Sequence, residues 1–250
     1  MKSVLMLLSL LFVSSTLISC AAPKTTSDSG GMTPTIYYKP TIHLGKTKCA
    51  ISHLREILSP DGVTLATLCD SDYRACLMQG SCFVEDDGVL TSYNYHSTKE
   101  GVARFIITDL KKCPYGYGVS SVCLDPYFSV AADLKVHKVG DAIYVPRLVG
   151  VTMPNGEVHD GFLVIRDAGG GINGSHRFDF FTGFLNHKDK KNPMARLGFG
   201  DPRSRIHYRL ATESEAAAAR ERRGYPGLRK DVLAEGQIVD GVSENVSVSN

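Results

Sequence analysis

Three shortages bound what this 250-residue chain can be. Net charge is nearly absent: 28 Lys and Arg stand against 26 Asp and Glu, so the chain lacks the excess of positive charge that holds a protein on nucleic acid. Long apolar runs are missing after the first eighteen residues, which leaves nothing else long enough for a membrane-spanning helix. Closely spaced metal ligands are missing too. Cys69, Cys76 and Cys82 lack the two-to-four-residue spacing of zinc ligands, and His159, His176 and His187 fit no common ligand pattern. No cysteine sits in a recognisable His-paired context, which disfavours a catalytic thiol.

What is present begins with an address. Lys2 precedes an apolar run over 4–18 that ends Leu17-Ile18-Ser19-Cys20. A charged start, a short apolar stretch and a small residue before the cut make a secretory signal over 1–19. Cys20 after Leu-Ile-Ser resembles a bacterial lipobox, in which the cysteine becomes the acylated N-terminus. Ala21 in the next position resembles the outer-membrane sorting case, so the expectation is a lipid-anchored envelope protein facing the periplasm. Several acyl chains on one residue anchor stably where one does not. Residues 20–35, rich in Thr, Ser, Pro and Gly, read as a flexible tether.

With Cys20 set aside, six of the seven cysteines remain: Cys49, Cys69, Cys76, Cys82, Cys113 and Cys123. An even number in an exported chain predicts three disulfides, and six cysteines allow about 15 connectivities. Cys113 and Cys123, flanking Pro-Tyr-Gly-Tyr-Gly, read as a stapled hairpin. Within the Cys-rich region 36–128, residues 51–58 and 72–79 suggest short helices, while 89–95 and 103–108 read as strands. Tyr93, Tyr95 and His96 either line a groove or belong to the core, with the core reading favoured for alternating strand positions.

The stretch around which the chain is organised runs from Asp160 to Gly183. Residues 162–165 form an uninterrupted apolar run, as in a strand covered on both faces. It ends at Asp167, followed by Gly169, Gly170 and Gly171. Three glycines in a row are expected where backbone needs positive φ or close approach. A second strand, 178–181, carries Asp179 among Phe178, Phe180 and Phe181. Desolvation by those rings and a second carboxylate nearby would raise its pKa toward a useful acid. In the alternative reading the two aspartates merely cap the turn.

Asp167-x-Gly-Gly-x-Ile-x-Gly, followed by Asp179 in an aromatic strand, resembles the 3D domain family, named for three aspartates. Upstream, Ser129-Val-Ala131-Ala132-Asp133, with Gly140 beyond, fits the segment that carries the remaining aspartate. The family includes the C-terminal part of the MltA group of membrane-bound lytic transglycosylases. The resemblance, which covers about a third of the chain, implies a mainly β fold: a double-psi β-barrel over 129–210, closed by a strand at 206–210. It does not reach the disulfide-stapled region 36–128, which is expected to pack on the barrel or to contribute strands to it. After the barrel, 211–250 reads as a short helix at 213–223 and a disordered tail.

The resemblance also implies an activity. A peptidoglycan lytic transglycosylase cleaves the β-1,4 bond between MurNAc and GlcNAc and leaves 1,6-anhydro-MurNAc. Asp179 would be the single acid/base, and Asp167 and Asp133 would keep its pKa high and supply negative charge. Gly169, Gly170, Gly171 and Asn173 would bind substrate, with no metal or organic cofactor. Three departures stand out: Asn173 replaces a frequent lysine, the spacing from Asp167 to Asp179 is one residue longer than the shortest family form, and the large substrate-embracing domain of the full MltA group is not expected to fit between the tether and Ser129. The alternatives of another class are a non-catalytic wall-binding or structural lipoprotein with the same barrel, and an expansin-like module that loosens glycan without cutting it. The implied partners are peptidoglycan strands and, through the anchor, a membrane, not nucleic acid. The basic run 188–230 reads as solvated surface or as a contact to anionic polymer.

Overall fold

The computed structural model describes residues 29–231. The expected signal and the expected lipidation site, Cys20, lie outside the described residues. Among the described residues, no helix is long and apolar enough to cross a membrane.

Six strands close into a barrel: β1 (Ser29–Tyr37), β8 (Ser129–Ala132), β9 (Ala142–Tyr144), β10 (Phe162–Asp167), β11 (Arg177–Phe181) and β12 (Ile206–Leu210). Their order around the barrel is β1-β11-β8-β10-β9-β12. Two pairs, β1 with β11 and β8 with β10, run parallel, and the other neighbours run antiparallel. The expected mainly β fold and closing strand at 206–210 are therefore present. Val130, Ala132, Leu163, Ile165, Phe178, Phe180 and Ile206 fill the interior. The alternation of these side chains fixes the register, because a one-residue slip would turn Phe178 and Phe180 out of the core.

The tether expected over 20–35 must be shortened. Residues 29–37 form β1, which joins β11 to β12 and completes the closure. Met32 is wholly buried in the barrel core and Pro34 is also buried, so this stretch has more to bury than its composition suggests. The barrel is accordingly built from residues on both sides of the Cys-rich region, not from 129–210 alone.

The region between β1 and β8 forms a second sheet of six strands: β2 (Thr41–His43), β3 (Leu54–Leu58), β4 (Thr64–Cys69), β5 (Ser81–Asp86), β6 (Val89–Lys99) and β7 (Val102–Ile107), in the order β2-β5-β6-β7-β3-β4. Where a helix was expected over 51–58, a single 3-10 turn at Ile51–His53 runs into strand β3. Pairing of Leu54–Leu58 with β4 outweighs its weak helical pattern. Helix α1 (Asp70–Gln79) follows β4 and ends on Gly80, whose φ of 69° gives the left-handed cap. The disulfides are Cys49–Cys69, Cys76–Cys82 and Cys113–Cys123. The first ties the loop before β3 to the end of β4, and the second ties α1 to β5.

Beyond a single turn of helix, α2 (Pro193–Arg196), the chain reaches helix α3 (Glu213–Arg223). Thr212 and Glu215 close a reciprocal capping box at its N-terminus. Ala216 and Ala219 pack on Ala142 and Val164 of the barrel. Arg223 then makes a two-pronged ion pair with buried Asp125, at 2.7 and 3.0 Å, and a third contact with Glu157. Arg166, fully buried on β10, donates to the carbonyls of Cys123, Gly227 and Arg223. Leu228 is buried and Arg229 reaches Glu157, so the segment after the helix is docked through residue 229; the expected tail after 231 lies outside the described residues. Most arginines of the basic run are also occupied, in pairs such as Arg209 with Glu215 and Arg222 with Asp160.

Candidate active site

The site begins with an irregularity in β10. Val164 pairs with Ser129 and Ile165 with Val130, but the next partner pair is Asp167 with Ala131. This β-bulge inserts one residue, and such bulges re-aim side chains. Leu163 and Ile165 point into the barrel, and without the bulge Asp167 would follow them. With it, Asp167 lies on the outer face, where Ala131 and Phe181 belong to a separate cluster with Tyr37.

On the other side of β8, Ala131 pairs with Asp179, and Asp179 in turn pairs with Thr35. One rung across four strands therefore reads Thr35, Asp179, Ala131, Asp167. The small side chain of Ala131 leaves the space between the acids open. Both acids are half-buried and line a cleft of about 690 Å³ between the barrel and the second sheet. Tyr95 and His96 of β6 stand on the opposite wall; Tyr95 is 43% exposed, whereas Tyr93 is buried in the core of its sheet.

The two carboxylates are held differently. Burial pushes Asp167 up to about 7, and the charge of Asp179 adds to the rise; the Ala168 N–H, donating to Oδ1 at 2.9 Å, and the nearby Tyr37 hydroxyl oppose it. Asp179 is also raised by burial, restrained by the Thr35 hydroxyl and the charge of Arg177. Thr35 donates to Asp179 Oδ1 at 2.6 Å, and Arg177 donates to Thr35 Oγ1 at 2.7 Å. Because the guanidinium occupies a lone pair of that hydroxyl, the threonine proton is directed to the carboxylate. Tyr37 approaches both acids, yet no acceptor meets its buried hydroxyl at hydrogen-bonding geometry; burial and the two negative charges raise its pKa well above the usual value.

Asp133 does not join the pair. Its carboxylate accepts from Lys135 N at 2.9 Å and Gly174 N at 2.8 Å, it is outside the cleft lining, and the Gly174 and Lys135 N–H groups hold its pKa below the usual range. Its position just past the end of β8 makes it a turn-fixing residue, not a source of charge for Asp179. The glycines divide as well. Gly169 and Gly170 line the cleft, while Gly171 and Asn173 do not; Asn173 donates to Gly170 O within the turn. None of Gly169, Gly170 and Gly171 has positive φ; the left-handed glycine of this loop is Gly174, at 92°. The run instead gives the cleft a floor without side chains.

His159 is neither a surface residue nor a metal ligand. It stacks on Phe128, donates from Nε2 to Tyr127 O and accepts from Gly161 N, and burial lowers its pKa to about 4. Among the described residues, no group of three or more His, Cys, Asp or Glu is placed to hold a metal ion.

Four contributors escape the sequence pattern. Thr35 and Tyr37 fall in or beside the expected tether; the only sign of a strand there is the run Thr33-Pro34-Thr35-Ile36-Tyr37, interrupted by a proline. Lys39 is wholly buried and donates to Ser92 Oγ at 2.6 Å and Asn94 Oδ1 at 3.3 Å. Burial lowers its pKa to about 7. Asn94 lines the cleft and donates to Tyr117 O, so this lysine braces one wall from behind.

Residues 128–192 match the family model described as the 3D domain, the stretch that holds both acids. No curated protein matches the chain. Among solved structures, E. coli MltA with bound chitohexaose is similar at 17% identity over 73% of this chain and 71% of that one, with a TM-score of 0.47. The membrane-bound lytic murein transglycosylase from Agrobacterium tumefaciens is similar at 14% identity over 74% and 75%, with a TM-score of 0.44. For LtgG, a lytic transglycosylase of Burkholderia pseudomallei, the values are 17%, 70% of each chain and 0.37.

Proposed function

We propose that the chain is a peptidoglycan lytic transglycosylase. It would cut the β-1,4 bond between MurNAc and GlcNAc and leave 1,6-anhydro-MurNAc. The observation that carries this reading is the pairing of Asp167 and Asp179 on one open rung, both with raised pKa, at the wall of a cleft of about 690 Å³. A scaffold that kept its aspartates for folding alone would satisfy both carboxylates with backbone amides, as Asp133 is satisfied. Asp179 Oδ2 receives no donor among the described residues.

The bond breaks through an oxocarbenium-like transition state, so the leaving oxygen needs a proton and the ring needs negative charge nearby. Asp179 serves as the acid/base. Its protonated carboxyl gives a proton to the glycosidic oxygen, and the Thr35 hydroxyl and Arg177 stabilise the anion that remains. That anion then takes the proton from the 6-hydroxyl of the same MurNAc as O6 closes on C1, which restores the acid without water. Asp167 titrates near neutrality and faces the same space, where it tunes the charge seen by the ring. Gly169 and Gly170 let the glycan lie close to the strand ends. The chemistry calls on no cofactor. In this reading Cys20 carries the lipid anchor, and the protein works in the periplasm from the outer membrane.

The test is digestion of purified sacculi by the oxidised protein, with mass analysis of the products. Anhydro-muropeptides from wild type, lost in Asp179→Asn, support the reading; intact glycan after wild-type treatment rejects it in favour of a wall-binding lipoprotein.

A further inference from the structure

A buried hydroxyl stands at the acid pair without a fixed partner. Tyr37 lines the cleft, is only 8% exposed, and its oxygen meets no donor or acceptor at hydrogen-bonding geometry among the described residues. Leaving a buried polar group unmet costs about 1–3 kcal/mol. Its surroundings show where a partner is to be had.

Tyr37 pairs with Phe181, one step beyond the rung on which Thr35 meets Asp179, and it lies on the same face of β1 as Thr35. Its ring packs on Phe181 with centroids 5.1 Å apart, in one cluster with Ala131. From there the hydroxyl interacts with the Asp167 carboxyl and feels the charge of Asp179. Ala131 is the residue between those two acids, so the phenol ends over its methyl group, in the gap that separates them. No other charged group faces it: Arg177 acts through Thr35, and the other titratable side chains of the cluster are Tyr115 and Tyr117.

The oxygens of Asp179 are unequally supplied. Oδ1 holds the Thr35 hydroxyl at 2.6 Å, a donor fixed in place by Arg177, whereas Oδ2 receives none among the described residues. A hydroxyl has one proton to donate and serves one carboxylate at a time. We propose that Tyr37 is a positioning residue that carries one hydrogen bond between the two acids. Its O–H donates to ionised Asp167 while Asp179 holds the catalytic proton, and turns to Asp179 Oδ2 once that proton has passed to the glycosidic oxygen. When Asp179 takes up the proton of the 6-hydroxyl, the donor returns to Asp167. The tyrosine keeps its own proton throughout, as suits a phenol whose ionisation is opposed by burial and by two negative neighbours. This rests on the glycan-cleavage reading above.

The test is Tyr37→Phe in the full oxidised chain. Phenylalanine keeps the ring on Phe181, so the fold should hold, as near-ultraviolet circular dichroism checks. With aspartate carboxyl carbons labelled with carbon-13, NMR titration follows both acids without turnover, and cleavage of soluble glycan strands gives kcat and KM. Asp167 and Asp179 should both titrate higher in the variant, since each ionised form loses a donor. Turnover should fall about 10-fold or more with KM little changed. A hydroxyl that serves Asp167 alone would leave the Asp179 titration unmoved or lowered, and that result overturns the shared donor while glycan cleavage stands. A raised KM with both titrations unmoved makes Tyr37 a substrate contact and overturns it equally. Wild type that releases no anhydro-muropeptides rejects the glycan reading, and the carboxyl titrations then judge the shared donor on their own.

Discussion

Asp167 and Asp179 share one backbone partner: Ala131 of β8 is the register neighbour of both, on opposite sides. Two strand spacings, about 10 Å, therefore separate their Cα atoms, and only a methyl group stands between their side chains. A larger residue at 131 would fill the gap. The acids meet here because β10 carries one extra residue; their sequence separation of twelve does not itself bring them together.

The raised pKa of Asp167 has a consequence for stability. Unfolded, the carboxyl titrates near 3.8; folded, near 7. Between those values the native state binds more protons than the unfolded chain, so stability falls as pH rises through this window and the loss is complete above it. Asp167→Asn, neutral at all pH, is expected to melt higher than wild type at pH 8, with the difference vanishing toward pH 4. Calorimetric melts at several pH values check this; equal offsets throughout would contradict it.

Thr35→Val removes the donor to Asp179 Oδ1. Hydrogen bonds to charged groups contribute about 1.5–3 kcal/mol, so without this one the pKa of Asp179 should rise further. In the proposed reaction the pH profile of kcat should move upward and its maximum should fall about 10-fold or more. A valine variant with an unmoved profile would show that Thr35 does not govern the acid.

Gly118→Ala places a methyl group 2.1 Å from the carbonyl of Arg166, a backbone atom that cannot step aside. Overpacking typically costs about 1–3 kcal/mol, and the upper end is expected here, as a lower denaturant midpoint. Because the displaced strand carries Asp167, activity should fall further than stability alone explains, which comparison at matched folded fraction would measure.

Arg223→Ala leaves Asp125 buried without its counter-charge and frees Glu157 from one of its two arginines. Breaking a buried pair from one side costs about 3–5 kcal/mol. The variant should lose protection from proteolysis after α3 first, since Arg223 holds that helix to the barrel. Limited proteolysis with mass mapping checks the order.

Much of this was legible before any coordinates. The apolar run at 162–165, the aromatic strand around Asp179, the helix at 213–223 and the staple between Cys113 and Cys123 each follow from local pattern, and the closing strand at 206–210 follows from the family resemblance. What was hidden depends on pairing between distant residues. Thr35 reads as tether until its partner Asp179 is known, because a strand with a central proline and threonines announces itself only through its neighbours. Asp133 fits a motif yet spends its oxygens on the loop beyond β8 and on Gly174 of the loop beyond β10, and the bulge that turns Asp167 outward leaves no mark in the spacing of glycines. Residues 51–58 form a strand where a helix was expected, because β4 is available to pair with them.

The first and last barrel strands, β1 and β12, are neighbours although the whole second sheet and most of the barrel lie between them in the chain. Closure must therefore wait until residue 210 is available, whereas every strand of the sheet spanning 41–107, with its own core and two of its own disulfides, pairs within that span. Folding is thus expected in two stages, a fast local one and a slow long-range one limited by loop closure. During the interval β1 remains an unpaired edge open to capture by other chains.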